Sequence, residues 1–275
     1  MPDSTTATAR AHIDTTKASI ARVYDAFLGG KDNYEVDRKV FEGVRSVSPE
    51  AHQLAWDNRQ FLIRAARFVA AETGVRQFLD CGSGLPTAEN THQVVQRLAP
   101  DSTVVYVDND PVVLAHGRAL LEENEHTHFS PADIFDPAAI LRDEVVQRQL
   151  DFSEPIALFQ FGTLHHHVGD DDPAEIMQAY IDALPAGSYV GISHFMDPET
   201  DEDSALARRM EDMFLHSPMG SGTFRTLAEI ERLFCGLELV DPGLVRCADW
   251  WPDGPRIKPL SPSQRCIAGA LSYKP

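Results

Sequence analysis

Cysteine is scarce in this sequence, and the four present stand far apart, at positions 81, 235, 247 and 266. No two form a CxxC pair, which excludes a zinc knuckle or a disulfide framework as the organising element. Runs of lysine or arginine are also lacking. Lys+Arg number 24 against 42 Asp+Glu, a formal net charge of −18. A surface that acidic repels nucleic-acid phosphates and anionic lipid. Neither nucleic acid nor a membrane is therefore an expected partner, and a small molecule is. Long hydrophobic runs are missing as well. The most apolar helix-like stretch, FLIRAARFVAA, is broken by Arg64 and Arg67, whereas a bilayer span needs about 20 apolar residues. The first residues, MPDSTTATAR, contain no apolar signal core. A cytoplasmic location with free thiols is the expectation. Hydrophobic residues make up 43% of the 275, enough for the core of one large domain or a domain with an appendage.

Residues 1–14 are polar and aperiodic, and are expected to form a disordered tail. Ile20, Val23, Tyr24, Phe27 and Leu28 then repeat at helical spacing. Gly29 and Gly30 follow as stop signals. A second helical pattern carries Val36, Val40, Val44 and Val47. A third is predicted from Ser48-Pro49, with Ser48 as N-cap, to Gly74. Residues 15–75 thus read as a helical N-terminal extension.

From residue 76 to 275 the pattern changes. RQFLDCGSG, TVVYVDND, THFSPADIF, EPIALFQFG and SYVGISHF read as strands, the third the weakest. Helical patterns over 87–98, 111–121, 137–149 and 173–184 separate them. Such alternation predicts a parallel sheet with helices on both faces. A longer helix after Asp201 and another over 226–234 come next. Strands around 237–245 and 265–273 are expected to close the sheet as an antiparallel hairpin at its edge.

Ligands of open α/β sheets sit beyond the carboxyl ends of the strands. The first strand runs into Gly82-Ser83-Gly84, where glycine lets the backbone approach a ligand. The second ends in Asp108, placed to accept from two ribose hydroxyls; the rival reading is a helix cap, a role better suited to Asp110. The third runs into Asp133-Ile134, suited to an adenine amine and ring, or equally to a turn. A dinucleotide fingerprint needs a third glycine, and Thr87 stands there instead. Pro86 removes a further backbone donor from the helix start, where a pyrophosphate would need one. Adenosine without phosphates fits better, and S-adenosylmethionine is such a molecule.

Five segments carry a resemblance: ARVYDAFLGGKDNYEVDR, FLDCGSGLPTAENTH, VYVDNDPVVLAHGRALL, ADIFDP and GLELVDPGLV. With them the chain resembles class I S-adenosylmethionine-dependent methyltransferases. More narrowly, it resembles the bacterial S-adenosyl methyltransferase family with its RVYDxxLGGKDNY signature. The resemblance implies an α/β fold: a Rossmann-like seven-stranded sheet, helices on both faces, and a helical N-terminal extension covering the cofactor. It implies that Asp80, Cys81, Gly82, Ser83 and Gly84 surround the methionine part, that Asp108 and Asn109 take the ribose, and that Asp133, Ile134 and Phe161 complete the pocket. Ser83 departs from the commoner class pattern, with little consequence where backbone contacts dominate. Tyr24, Gly29, Gly30, Lys31, Asn33 and Tyr34 would form the cover, with Tyr24 or Tyr34 facing the sulfonium. The rival reading makes this stretch a turn between packing helices.

After the fourth strand comes GTLHHHVGDDDP. Neighbouring side chains in extended backbone point opposite ways, so His165, His166 and His167 do not converge on one metal ion. His165 or His166 could serve as general base, or simply wall the pocket. Together these readings point to a methyltransferase that uses S-adenosylmethionine, releases S-adenosylhomocysteine and acts on a small-molecule acceptor. An idle cofactor-binding sensor is the alternative, and the residue at Thr87 disfavours an NAD-dependent oxidoreductase.

Overall fold

The computed structural model describes residues 13–86, 89–121 and 124–275. Most of the expected tail, and Thr87, lie outside the described residues. Three helices come first: α1 (Ile20–Phe27), α2 (Glu35–Val47) and α3 (Ala51–Glu72). α1 stops at the two glycines. Gly30 N–H donates to Asp25 O at 2.8 Å and Gly29 N–H to Ala26 O at 3.1 Å, the paired closure that sets Gly29 in the left-handed region at φ +77°. α3 begins later than Ser48-Pro49 predicts. Glu50 precedes its first turn, and the Ser48 hydroxyl bonds Ser263 instead.

Strands and helices then alternate as expected. The strands are β1 (Gln77–Cys81), β2 (Thr103–Val107), β3 (Thr127–Ser130), β4 (Ile156–Phe161), β5 (Tyr189–Phe195), β6 (Glu238–Leu239), β7 (Val245–Arg246) and β8 (Ile267–Tyr273). The helices among them are α4 (Thr91–Leu98), α5 (Pro111–Leu121), α6 (Pro137–Ile140), α7 (Glu144–Gln149), α8 (Pro173–Ala183), α9 (Asp201–Leu215) and α10 (Leu227–Arg232). The single helix predicted over 137–149 is two, because the Asp143 carboxylate caps a fresh start by accepting from Val145 and Val146 N–H.

The sheet runs β3-β2-β1-β4-β5-β8-β6, with β7 also paired to β8. β1 to β5 are mutually parallel, and β8 is antiparallel to β5. Eight strands replace the expected seven because the stretch over 237–245 is cut by Asp241-Pro242-Gly243. Pro242 has no N–H for a ladder, and Gly243 turns the chain at φ +81°. The closing pair is antiparallel as predicted, but β8 lies inside it and β6 is outermost.

Period-two alternation splits the sheet's side chains between two cores. Phe78, Val104, Ala157 and Phe159 face one, shared with α2, α3 and α9. Leu79, Val105, Leu158 and Ile192 face the other, shared with α7 and α8. The N-terminal helices are thus built into the sheet's own core, and they overhang the carboxyl ends of the parallel strands.

Candidate functional site

A cavity of about 530 Å³ opens at those strand ends, within the usual range for small-molecule sites. Its floor is the turn after β1. Gly82 N–H donates to Val107 O at 2.7 Å, folding the turn back onto β2 with Gly82 at φ +76°. A β-carbon there would sit 2.3 Å from Thr163 Cγ2, so only glycine fits. Gly84 is also left-handed, at φ +64°.

Asp108, one step past β2, holds this turn in place. Its Oδ2 accepts from Gly84 N–H and its Oδ1 from Asp110 N–H, both at 2.9 Å. The cap of α5 is Asp110, whose Oδ1 accepts from Val112 N–H at 2.7 Å. Desolvation by the surrounding protein pushes the Asp108 carboxyl up to about 6, against its two backbone donors. Asp80, at the end of β1, is 4% exposed and accepts from the Thr91 hydroxyl at 2.6 Å. Burial pushes it up to about 6 as well, while Thr91 and the Arg59 guanidinium pull the other way. Asp133 Oδ1 accepts from Phe135 N–H at 2.9 Å, so it shapes a turn while also lining the cavity. Ser83, Asn109, Ile134 and Phe161 line the same space. Ser83 Oγ is buried with no hydrogen-bond partner among the described residues.

Cys81 is different. It is fully buried among Leu79 and Val105 on the opposite face of β1, and burial pushes its thiol up. The period of two that aims Asp80 at the cavity aims Cys81 away.

The glycine-hinged stretch divides likewise. Tyr24 lines the cavity, with its hydroxyl donating to Ala55 O at 3.0 Å and accepting from Asn58 Nδ2 at 3.1 Å. Gly29, Gly30, Lys31, Asn33 and Tyr34 do not line it. Gly29, Gly30 and Lys31 border a separate cavity of about 390 Å³ beside Trp56. The physical reason is the carboxylate of Asp25, 2% exposed, around which the loop is wound. Asp32 N–H donates to its Oδ2 at 3.0 Å and Asn33 Nδ2 at 2.7 Å. A β-carbon on Gly30 would lie 1.9 Å from Asp25 Oδ1. Tyr34 lies under the Arg22 guanidinium, 5.2 Å from the ring centroid. Asp37, with no exposed surface, accepts from Arg22 Nε at 2.9 Å, from Tyr34 N–H at 2.8 Å and from Ser19 N–H at 3.0 Å. These residues hold α1 in position. Its N-cap Ser19 hydroxyl bonds Asp110 across the cavity mouth.

His165 and His166 stand in a 3-10 turn after β4, both buried and both lining the cavity. Phe195 N–H donates to His165 Nδ1 at 3.3 Å, which leaves the ring proton on Nε2 and makes that edge a donor. Burial holds His165 well below the ordinary imidazole range, and the neighbouring His166, His194 and Arg225 add to the effect. His166 Nδ1 meets Ser221 Oγ at 3.0 Å, and burial brings it down to about 4. The near-neutral basicity expected of this pair is therefore absent: both are neutral and weakly basic at pH 7. Among the described residues, no three His, Cys, Asp or Glu are grouped to hold a metal ion.

Several lining residues escaped the sequence reading: Asn58, Arg59, Thr163, Phe195, Phe214 and Met219. Asn58 had a signal. It falls on the apolar face of α3, between Leu54 and Phe61, and a polar residue there must find partners. It has Tyr24 on one side and the Ser193 hydroxyl on the other. Met219 lies in a loop without periodicity and gave none.

The lining sorts along the strand order. Its carboxylates, Asp80, Asp108, Asp110 and Asp133, stand at or just after the ends of β1, β2 and β3, and Arg59 on α3 binds Asn90 beside them. The ends of β4, β5 and β8 contribute Phe161, His165, Phe195 and Ile267, with Phe214 of α9 and Met219 beyond. One half is hydrogen-bonding and acidic, and the other is mainly apolar and aromatic, with two neutral imidazoles.

Residues 6–275 match the model of a family described as S-adenosyl methyltransferase. A crystal structure from Thermobifida fusca YX, described as a candidate methyltransferase, is 43% identical. The match covers 95% of this chain and 96% of that one, with a TM-score of 0.89. A DUF574 family protein from Streptomyces avermitilis is 36% identical over 96% of this chain and 100% of its own, also at 0.89. None of the curated proteins compared with the chain matches it.

Proposed function

The chain belongs to the S-adenosyl methyltransferase family and is an S-adenosylmethionine-dependent methyltransferase, and from that premise we propose how its cavity binds cofactor and acceptor. The observation that carries the reading is Asp108, bonded to Gly84 N–H at the end of β2. Its remaining acceptor capacity suits the two ribose hydroxyls. Gly82, Ser83 and Gly84 cradle the methionine part, and Asp80 faces its ammonium group. Two observations favour that fit: the left-handed Gly82 and Gly84 turn at the strand end, and the Ser83 hydroxyl with no partner among the described residues. Asp133 takes the adenine amine, and Ile134 packs on the ring. Asn109 and the face of Tyr24 complete the cofactor half, and Phe161 borders it from the end of β4. Gly29, Gly30, Lys31, Asn33 and Tyr34 act one step back, by holding α1 over the cavity. Residues 15–75 in this reading are the cover, and 76–275 the catalytic domain.

S-adenosylmethionine supplies a methyl group on sulfonium, and the acceptor's electron pair forms the new bond to carbon as the carbon–sulfur pair returns to sulfur. The protein's part is alignment and exclusion of water. His165 and His166 serve as neutral walls and donors, not as the general base. The acceptor is a small molecule, since the cavity is roofed by α1 and bounded by α3 and α9. Buried free thiols at Cys81, Cys247 and Cys266 suit a cytoplasmic setting.

Titration calorimetry tests the site. S-adenosylhomocysteine should bind, and NAD far more weakly. Asp108→Ala should cost about 1.5–3 kcal/mol, roughly ten- to a hundredfold in affinity, as for a hydrogen bond to a charged group. Unchanged affinity in a folded Asp108→Ala protein would remove Asp108 from the site.

A further inference from the structure

We infer that the apolar half of the cavity takes an uncharged, ring-bearing molecule as the methyl acceptor. The inference rests on the cofactor site proposed above and adds the chemistry of the second ligand.

The first observation is the partition of charge. Every carboxylate among the described lining residues stands on the β1–β3 side. On the β4–β5–β8 side the only ionisable groups among the described lining residues are His165 and His166, both held neutral by burial. A charged acceptor would lose its hydration there and meet no counter-ion in return. The wider field disfavours each sign for a separate reason. An anion approaches a chain of net charge −18. A cation must pack beside a sulfonium.

The second observation is shape. Phe195 lies nearly parallel to His165 (3.6 Å between centroids, 15° between planes) and to Phe214 (5.4 Å, 18°). Phe27 of α1 joins Phe214 at 6.1 Å and 30°. These rings form one stacked bank, and a flat apolar ring is the ligand that extends such a bank at least cost.

The third is a fixed polar direction. Because His165 Nδ1 already accepts from Phe195 N–H, its Nε2–H is a donor. It can orient one acceptor atom, such as a ring nitrogen or carbonyl oxygen, on an otherwise apolar molecule.

The test uses the full chain saturated with S-adenosylhomocysteine at pH 7.5. Calorimetry compares quinoline, which is uncharged, with 1-naphthoate and 1-naphthylmethylammonium, which share its size. Quinoline should bind at least about tenfold more tightly than either ion, the scale expected for stranding a charge in an apolar site. Met219→Glu then places a carboxylate in the apolar half at a half-buried loop position. It should weaken quinoline about tenfold and tighten the ammonium compound. Affinity for S-adenosylhomocysteine should stay within about twofold, which also reports that the variant is folded. Equal or tighter binding of either ion, no measurable binding of quinoline, or indifference of quinoline to Met219→Glu would each overturn the inference. If S-adenosylhomocysteine itself fails to bind the unaltered protein, the site reading falls first, and this inference with it.

Discussion

Lowering the pH from 7.5 to 5.0 should weaken cofactor binding about a hundredfold. Two carboxyls that line the cavity, Asp80 and Asp108, are held at about 6 by desolvation. At pH 7.5 more than nine-tenths of each is ionised. At pH 5.0 only about one in eleven is, by the titration relation for a group one unit above the pH. In the proposed site the ligand needs both as carboxylates, one beside its ammonium and one accepting its hydroxyls. Binding must therefore strip two protons at pH 5.0, a penalty of about tenfold for each group. The sign for stability is opposite. A folded-state carboxyl raised above its unfolded value takes up protons, between about pH 6 and 4, that the unfolded chain does not. The contribution of this pair to the stability of the empty protein therefore improves as the pH falls through 6. For fully buried Asp80 the handicap at neutral pH is on the order of 3 kcal/mol. Calorimetry with S-adenosylhomocysteine at pH 7.5, 6.0 and 5.0 and constant ionic strength reads the first effect. Asp80→Asn keeps an acceptor for the Thr91 hydroxyl and should cut the loss between the extremes to about tenfold. Affinity that stays level, or rises, as the pH falls would refute the assignment of these two carboxyls to the ligand.

Three further outcomes are expected. Gly82→Ala adds a carbon 2.3 Å from Thr163 Cγ2 at φ +76°; it should cost at least about 1–2 kcal/mol from backbone strain alone and abolish cofactor binding, and a variant with wild-type melting temperature and affinity would contradict the close-packed turn. Asp37→Ala leaves Arg22, 3% exposed, without its buried partner; chemical denaturation should show a loss of about 3–5 kcal/mol, and a loss under about 1 kcal/mol would mean that the Arg22–Asp37 pair does not anchor α1. Amide hydrogen exchange over residues 20–34 should slow when S-adenosylhomocysteine is added; exchange indifferent to the ligand would reduce this segment to a turn between packing helices.

Much of the fold was legible because its signals are periodic. The alternation of short apolar runs with helical patterns specified the parallel sheet, and the Gly29-Gly30 stop of α1 was explicit. Boundaries that depend on a competing polar contact were not. Ser48 reads as a cap, yet its hydroxyl is drawn to Ser263, 215 positions away in sequence. Residues 237–245 read as one strand until Pro242 withholds its donor. In the site, glycines and acids at strand ends were visible because one short element places them. Cys81 was included by adjacency, although alternation within β1 already turns it to the other face. The GGKDNY loop was credited with ligand contacts because polar loops so often make them. Asp32 N–H and the Asn33 side chain are instead spent on Asp25 and Arg38. The apolar half was invisible, because Phe195, Phe214 and Met219 come from three elements and meet only in three dimensions.

The position of α1 has a kinetic consequence. Its eight residues span about 12 Å. Its N-cap is tied to Asp110 beside the acidic half, and its last residue, Phe27, packs on Phe214 beside the apolar half. One short rod therefore roofs both chambers. If the proposed cover holds, a swing of that rod wide enough to release S-adenosylhomocysteine would also unseat Phe27 from the ring bank, so spent cofactor and methylated product would share one exit barrier. Turnover would then be paced by a single opening event per cycle, and a change that loosens the Arg22–Asp37 anchor would speed the departure of both while weakening the hold on each.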